Sequence, residues 1–421
     1  MATTLAWGET LTVLVELGFP VNPFTLDDAG LGVLDTNFLD GTLLGDDVSD
    51  VTQQITINRG RQNQLAQFSA GTCSVTLLNN DRRFDPTNED SPYWNATLNR
   101  SGVTPRRKLT VILGNETLFA GRLTDIDLSY GRGKSSDLSQ VVFTAADDFV
   151  LLANTTTTAN VTPSAELSGA RLNYLLTLPE IDYAGTTDID PGTATLGAFV
   201  IEANTNALAY AQAIALAEQG FFFVARNGDL TFTDRALAGF ATSAGSFSDE
   251  QGSDIKYQAL GVSYGQEFLY NKVAVTRSGG AIQLANDAES QTEYGISTLT
   301  LDNLLLSSDT QAQELADELL DLYAEPEFRF NNMSVVVSGL TSGDRVVCNQ
   351  LELGDTITVQ RNYVAGDPLS VDKFETVERL NRNITPNFHR LEIGLSQAFV
   401  IFPLTLDDAV FGILDADNAL T

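Results

Sequence analysis

Between residue 51 and about residue 152 the apolar residues recur at every second position, and this alternation constrains the fold more than any other feature of the 421-residue chain. It is carried by Ile55-Thr56-Ile57, Cys73-Ser74-Val75-Thr76-Leu77, Leu109-Thr110-Val111-Ile112-Leu113, Leu123-Thr124-Asp125-Ile126-Asp127-Leu128 and Val141-Val142-Phe143-Thr144. Successive side chains of a strand point to opposite faces, so each run buries one face and leaves the other free. Short strands of this kind, separated by Gly, Asn and Asp, predict an antiparallel sandwich or small barrel, with a hairpin tip at Gly114-Asn115-Glu116.

Residues 154–164 lose the periodicity and read as a boundary loop. Helical spacing follows over 165–176 and over the alanine-rich 206–219, which Gly220 is expected to stop. Residues 221–232 read as two strands about Asn227-Gly228, because both central residues tolerate positive φ. A small α/β module is therefore expected near 160–240. Strands return over 247–306, most clearly at 270–276. Residues 310–323 then place Ala312, Leu315, Ala316, Leu319, Leu320 and Tyr323 on one helix face, capped by Ser308 or Asp309 and closed by Pro326.

Residues 333–396 alternate again and repeat an earlier order of parts. A strand at 356–360, one opened by Phe374 and one at Leu391-Glu392-Ile393 follow the sequence of 109–113, Phe119 and Val141-Val142-Phe143. The expected fold class is mainly β with a smaller α/β module, an α+β multidomain chain in which two tube-like β-barrel domains flank a middle region. A chain of this length exceeds one core, which fits such a division. Its parts are an N-terminal arm (1–45), a first barrel (46–155), the α/β module (156–245), a β-rich connection (246–305), a helix with a second barrel (306–400) and a C-terminal arm (401–421).

The two arms share a text. Thr25-Leu26-Asp27-Asp28-Ala29-Gly30-Leu31-Gly32-Val33-Leu34-Asp35 recurs as Thr405-Leu406-Asp407-Asp408-Ala409-Val410-Phe411-Gly412-Ile413-Leu414-Asp415, identical at eight of eleven positions. Two copies of one small device per chain double the docking points that a ring of subunits offers. Leu26, Leu34, Leu406 and Leu414 are the expected apolar contacts, with Asp27, Asp28, Asp35, Asp407, Asp408 and Asp415 beside them. Calcium is a competing reading of these carboxylates, but the alternating spacing of calcium loops is missing; no metal and no cofactor is expected.

Fifty-five acidic residues against 24 basic ones give a net charge of −31, which repels phosphate and disfavours nucleic-acid binding through counterion release. The same repulsion suits a conduit through which DNA slides, and acidity for solubility alone is the plain alternative. No stretch approaches the roughly 20 apolar residues of a membrane span, and residues 1–16 lack the basic head of a secretory signal, so a soluble chain without stable membrane association is expected. Cys73 and Cys348 each sit in an apolar run read as a strand, and with a single histidine they predict buried, reduced thiols rather than zinc ligands.

The most distinctive text is Ile57-Asn58-Arg59-Gly60-Arg61, followed by Ala70-Gly71-Thr72 and by Asn79-Asn80-Asp81-Arg82-Arg83-Phe84-Asp85-Pro86-Thr87-Asn88. On composition the last of these is a turn-rich strand exit in which Arg82 and Arg83 are available for carboxylates. This text resembles the first domain of siphophage minor tail proteins, the hub proteins encoded near the tape-measure protein. The likeness continues through Leu118-Phe119-Ala120-Gly121-Arg122, Ala146-Asp147-Asp148-Phe149, Leu167-Ser168-Gly169-Ala170-Arg171, Tyr270-Asn271-Lys272-Val273 and Leu353-Gly354-Asp355, and so spans nearly the whole chain.

The resemblance implies a baseplate hub: a homotrimer whose two barrels per chain close a pseudo-sixfold ring at the tail tip. Its implied neighbours are a distal tail or tail tube ring, the tape-measure protein and other minor tail proteins or fibres, with genomic DNA passing through unbound. The implied location is the virion, after synthesis in the host cytoplasm. No fused lytic domain is expected before Thr421. An adhesin-anchoring tail protein is the alternative. A cell-wall hydrolase using Asp147, Asp148 or Glu250 is a further one, but the sequence has no nucleophile elbow, His-Glu-x-x-His or P-loop, and His389 reads as a strand-surface residue.

Overall fold

The structure, a computed structural model, describes residues 2–19, 45–131, 139–235, 243–250, 252 and 254–398, together with the short strands Phe402–Pro403 and Asn418–Ala419. The alternating runs of the first third form β1 (Thr10–Val15), β2 (Thr52–Gly60), β3 (Ser69–Leu78), β4 (Lys108–Leu113), β5 (Glu116–Ser129) and β6 (Gln140–Ala146). They pair antiparallel in the order β1-β4-β5-β6-β3-β2. Gly114 supplies the positive φ (63°) of the β4–β5 turn, where Leu113 faces Glu116.

The inward residues of these strands, among them Val13, Ile57, Val75, Val111 and Phe143, form one closed core. Each large side chain so buried contributes roughly 1.5–3 kcal/mol.

The middle of the chain follows the expected module: α1 (Ser168–Leu176), β7 (Thr187–Ile189), α2 (Ala207–Glu218), β8 (Phe221–Val224) and β9 (Leu230–Thr233). Asn206 caps α2 by accepting from Ala209 N, and Gly228 (φ 98°) makes the β8–β9 turn. The left-handed residue that ends α2 is Gln219 (φ 58°) rather than Gly220. A second small sheet of β10 (Lys272–Arg277), β11 (Ile282–Asn286) and β12 (Thr298–Leu304) packs on α3 (Asp309–Tyr323), which Ser308 caps.

The last third supplies β13 (Phe328–Val336), α4 (Ser342–Gln350), β14 (Thr356–Asn362), β15 (Ser370–Thr385) and β16 (Phe388–Gln397). Cys348 lies in α4, not in a strand. Thr341 accepts from Asp344 N and starts the helix, so the run Val346-Val347-Cys348 points in three directions and only Cys348 is buried. Both cysteines are buried free thiols, and burial raises both pKa values, Cys348 to about 12.

The two β units are not separate sheets. β15 pairs antiparallel with β2 from Arg379↔Gly60 to Ile384↔Ile55, so one 15-stranded sheet runs through both. β15 also changes cores along its length. Val377 and Leu380 belong to the core shared with the α/β module, whereas Ile384 belongs to the first unit.

Candidate functional site: the Arg-Gly-Arg seam and its cleft

The tripeptide Arg59-Gly60-Arg61 stands at the end of β2, at the Gly60 end of its pairing with β15. Gly60 takes φ 113° and faces the Glu378 backbone. Arg59, buried, donates Nη2 to Val224 O (2.7 Å) and to Glu352 Oε1 (2.6 Å). The other Glu352 oxygen accepts from Arg226 N (2.7 Å), and Arg226 Nη1 reaches Glu116 Oε2 (2.7 Å). Hydrogen bonds from Gln350 and then Arg226 lower the Glu116 pKa. This chain of alternating charges therefore joins the first β unit (Arg59, Glu116), the module (Val224, Arg226) and the second β unit (Glu352).

Arg61, just past the end of β2, continues the seam. Its guanidinium lies between the rings of Phe68 and Phe221, 4.7 and 4.8 Å from their centroids, and forks onto Glu378 through Nε and Nη2. Ser396 Oγ donates to the same carboxylate at 2.6 Å.

Beside this fork opens a cleft of about 750 Å³. Its walls are the 64–68 loop, the end of α2, Phe221, β12, α3, the middle of β15 and the end of β16, with Leu216, Leu299, Leu301 and Leu322 half-buried along it. Arg235, paired with Glu318, and Asp321 stand among the lining residues. Its size lies in the range of roughly 300–1,000 Å³ usual for ligand pockets.

The other candidate residues fall elsewhere. Leu26, Asp27, Asp28, Leu34, Asp35, Leu406, Asp407, Asp408, Leu414 and Asp415 lie outside the described residues. Arg82 and Arg83 belong to the loop after β3 and find carboxylates within it. Arg82 bonds Asp85 (2.6 Å) and Arg83 bonds Asp81 (2.8 Å). Burial raises the Asp85 pKa, but Tyr130, Thr87 and Arg82 donate to the carboxylate and together hold it well below the usual range. Phe84 anchors the loop in the first core, 5.5 Å from Phe143 in a T-shaped contact.

Asp147, Asp148 and Glu250 do not converge on a common site. Asp147 is buried and accepts from Gly71 N (2.6 Å) and Phe149 N (3.1 Å); burial pushes its pKa up to about 7. Asp148 meets Arg122 and the Tyr183 hydroxyl, and Glu250 follows the strand Ser246–Ser248 next to β14. Among the described residues no group of three or more His, Cys, Asp or Glu is arranged to hold a metal ion.

His389 is not on a strand surface. It is fully buried on β16, 6.4 Å from the Trp7 ring, and burial together with nearby Arg382 pushes its pKa down. Sequence alternation placed it in a strand correctly. The cover supplied by Trp7 comes from a residue more than 380 positions away, which periodicity cannot reveal.

Neither a protein-family model nor a curated protein sequence matches the chain. Solved structures do. The 43 kDa tail protein of prophage MuSo2 from Shewanella oneidensis superposes with a TM-score of 0.54 at 12% identity, covering 92% of this chain and 98% of that one. A tail protein from Neisseria meningitidis superposes with a TM-score of 0.56 at 10% identity, over 92% and 96% of the two chains. The chain, mainly β with a smaller α/β module, thus shares its fold with these tail proteins.

Proposed function

We propose that the protein is a structural component of a long-tailed phage, the hub that closes a ring at the end of the tail tube. The observation that carries this reading is the superposition on tail proteins along nearly the whole chain, both β units and module together. The seam supports it, because Arg59, Gly60 and Arg61 fix the two β units edge to edge as one rigid building block. Three such chains would present six β units, which lets a threefold part meet a sixfold tail tube or distal tail ring.

A net charge of −31 supports a passage for DNA without capture. Carboxylates on a lumen wall keep phosphates about one Debye length, ~8 Å, away. In this reading Leu26, Leu34, Leu406 and Leu414 dock on neighbouring tail proteins, with Arg82 and Arg83 at the rim of a contact. Electron cryo-microscopy of tails tests the position: density for three copies encircling the axis is expected. Density confined to peripheral fibres would replace the hub with an adhesin-anchoring role. Normal particles from both Leu26→Asp/Leu34→Asp and Leu406→Asp/Leu414→Asp would remove the docking role of the repeated segments.

A further inference from the structure

We infer that the basic patch at the head of β4 is a docking surface for a second copy of this chain, which meets it with the acidic outer face of α3. The contact is read on the purified protein, so its failure leaves the hub position to its own test on tails. Arg106-Arg107-Lys108 is the only run of three consecutive basic residues in a chain with 24 of them against 55 acidic ones. The fold adds a fourth cation. Lys108 lies directly opposite Arg122 on the β4–β5 ladder, and both are exposed, so two like charges repel across one strand pair. Residues 106 and 107 are fixed against the same strand, because Arg106 N donates to Leu123 O (2.6 Å) and Leu123 N donates to Arg107 O (2.8 Å).

The patch is not neutralised by its own surroundings. Arg107 donates to the neutral acceptors Gly18 O (2.6 Å) and Thr104 Oγ1 (3.2 Å), and Arg122 reaches Asp148 at 3.3 Å. Among the described residues Arg106 and Lys108 have no carboxylate within ion-pair distance. The opposite sign is gathered on α3, which contains five acidic residues and no basic one. Glu314, Asp317, Glu318 and Asp321 are exposed at helical spacing, which again sets like charges side by side on one face. Of these four, Glu318 alone has a cationic partner among the described residues, Arg235. The stripe from Glu314 to Asp321 is about 10 Å long, and Arg106, Lys108 and Arg122 span a similar length.

Charge complementarity selects the occupant. One contact between the two faces relieves the repulsion within each, which a duplex nucleic acid seated on the patch would not do for α3. The two faces lie in different parts of the fold, the first β unit and the helix that backs the β10-β11-β12 sheet, and no ion pair joins them among the described residues. The contact is therefore head-to-tail: each copy gives its cations to one neighbour and its carboxylates to another, an arrangement that closes as a ring or runs on as a filament. Screening over ~8 Å at physiological salt removes most of the long-range repulsion between two acidic copies and leaves the close pairs in force.

The test uses the full chain. In a mixture of isotope-labelled and unlabelled protein, zero-length carbodiimide coupling should join Lys108 to Glu314, Asp317 or Asp321 in products that pair one labelled with one unlabelled peptide. Sedimentation in the millimolar range should show association, weakened about tenfold by Arg106→Glu with Lys108→Glu and equally by Asp317→Arg with Asp321→Arg. All four positions are exposed, and melting temperatures near wild type verify that both variants fold. Mixing the two variants should restore association, because the reversed faces again complement each other. A wild type that stays monomeric in that range, coupling confined to a single copy, or variants that do not rescue each other would each overturn the inference. Salt-dependent affinity for duplex DNA that disappears in Arg106→Glu with Lys108→Glu would assign the patch to nucleic acid and overturn it as well.

Discussion

A Cβ atom placed on Gly60 would lie 2.2 Å from the carbonyl oxygen of Glu378, on backbone from the other β unit. The contact, with φ at 113°, explains why the Arg-Gly-Arg text carries glycine at its centre. Gly60→Ala should lower unfolding free energy by roughly 3–5 kcal/mol, as strained φ and backbone overlap combine. Urea denaturation of the variant measures it, and a midpoint unchanged from wild type would contradict the seam as described.

Arg61 and Glu378 form a shielded ion pair stacked between two rings. Arg61→Met leaves the Glu378 carboxylate with Ser396 as its remaining side-chain partner among the described residues and should cost about 3–5 kcal/mol. Replacing both, as Arg61→Met with Glu378→Leu, should recover most of that loss, because two apolar side chains need no partner. The double-mutant cycle is read from denaturation midpoints. Strict additivity of the two single losses would show that the residues act separately.

Stability should also depend on pH through Glu375. Both carboxyl oxygens of this buried residue lack a hydrogen-bond partner among the described residues, and burial pushes its pKa from 4.5 up to about 8. The folded state then holds a proton that the unfolded chain has released, so stability falls as pH rises from about 4.5 to about 8. Asp147, raised from 3.8 to about 7, adds a decline of the same sign. His389 acts oppositely, since its pKa lies below 6.5 in the fold and stability is lost as pH falls below that value. Glu375→Gln should remove part of the alkaline decline, gaining on the order of a few kcal/mol at pH 8 and little at pH 4.5. Thermal melts across this range decide it.

Substituting Arg82 and Arg83 tests the proposed assembly contact apart from folding. Their partners Asp85 and Asp81 lie in the same loop, and Phe84 holds that loop from below, so Arg82→Ala with Arg83→Ala should leave the melting temperature nearly unchanged. If the pair contributes to a tail contact, incorporation of the variant into particles should fall several-fold. Full incorporation would remove both residues from the contact.

Much of this architecture is legible in the sequence because it rests on local patterns. Ile55, Val75, Val111 and Phe143 alternate with polar neighbours and become strands, and the Asn206 and Ser308 caps start the helices expected there. Where the reading differed from the structure, the deciding residue lay outside the pattern, a nearby helix cap in one case and distant contacts in the others. Val346-Val347-Cys348 has the composition of a strand, but Thr341 starts a helix under it. His389 is buried by Trp7, and the partners of Arg59 and Arg61 lie at positions 224, 352 and 378. The Arg-Gly-Arg text was conspicuous in one dimension, yet its role as a joint exists only once β2 and β15 are side by side.

The single strand β15 belongs to both cores and pairs with β2 along their shared edge, so a pull on one β unit reaches the other along the strand axis. A ladder loaded in that direction must break its rungs together rather than one after another. Tension entering one β unit along that axis is therefore shared across the whole β2–β15 ladder at once.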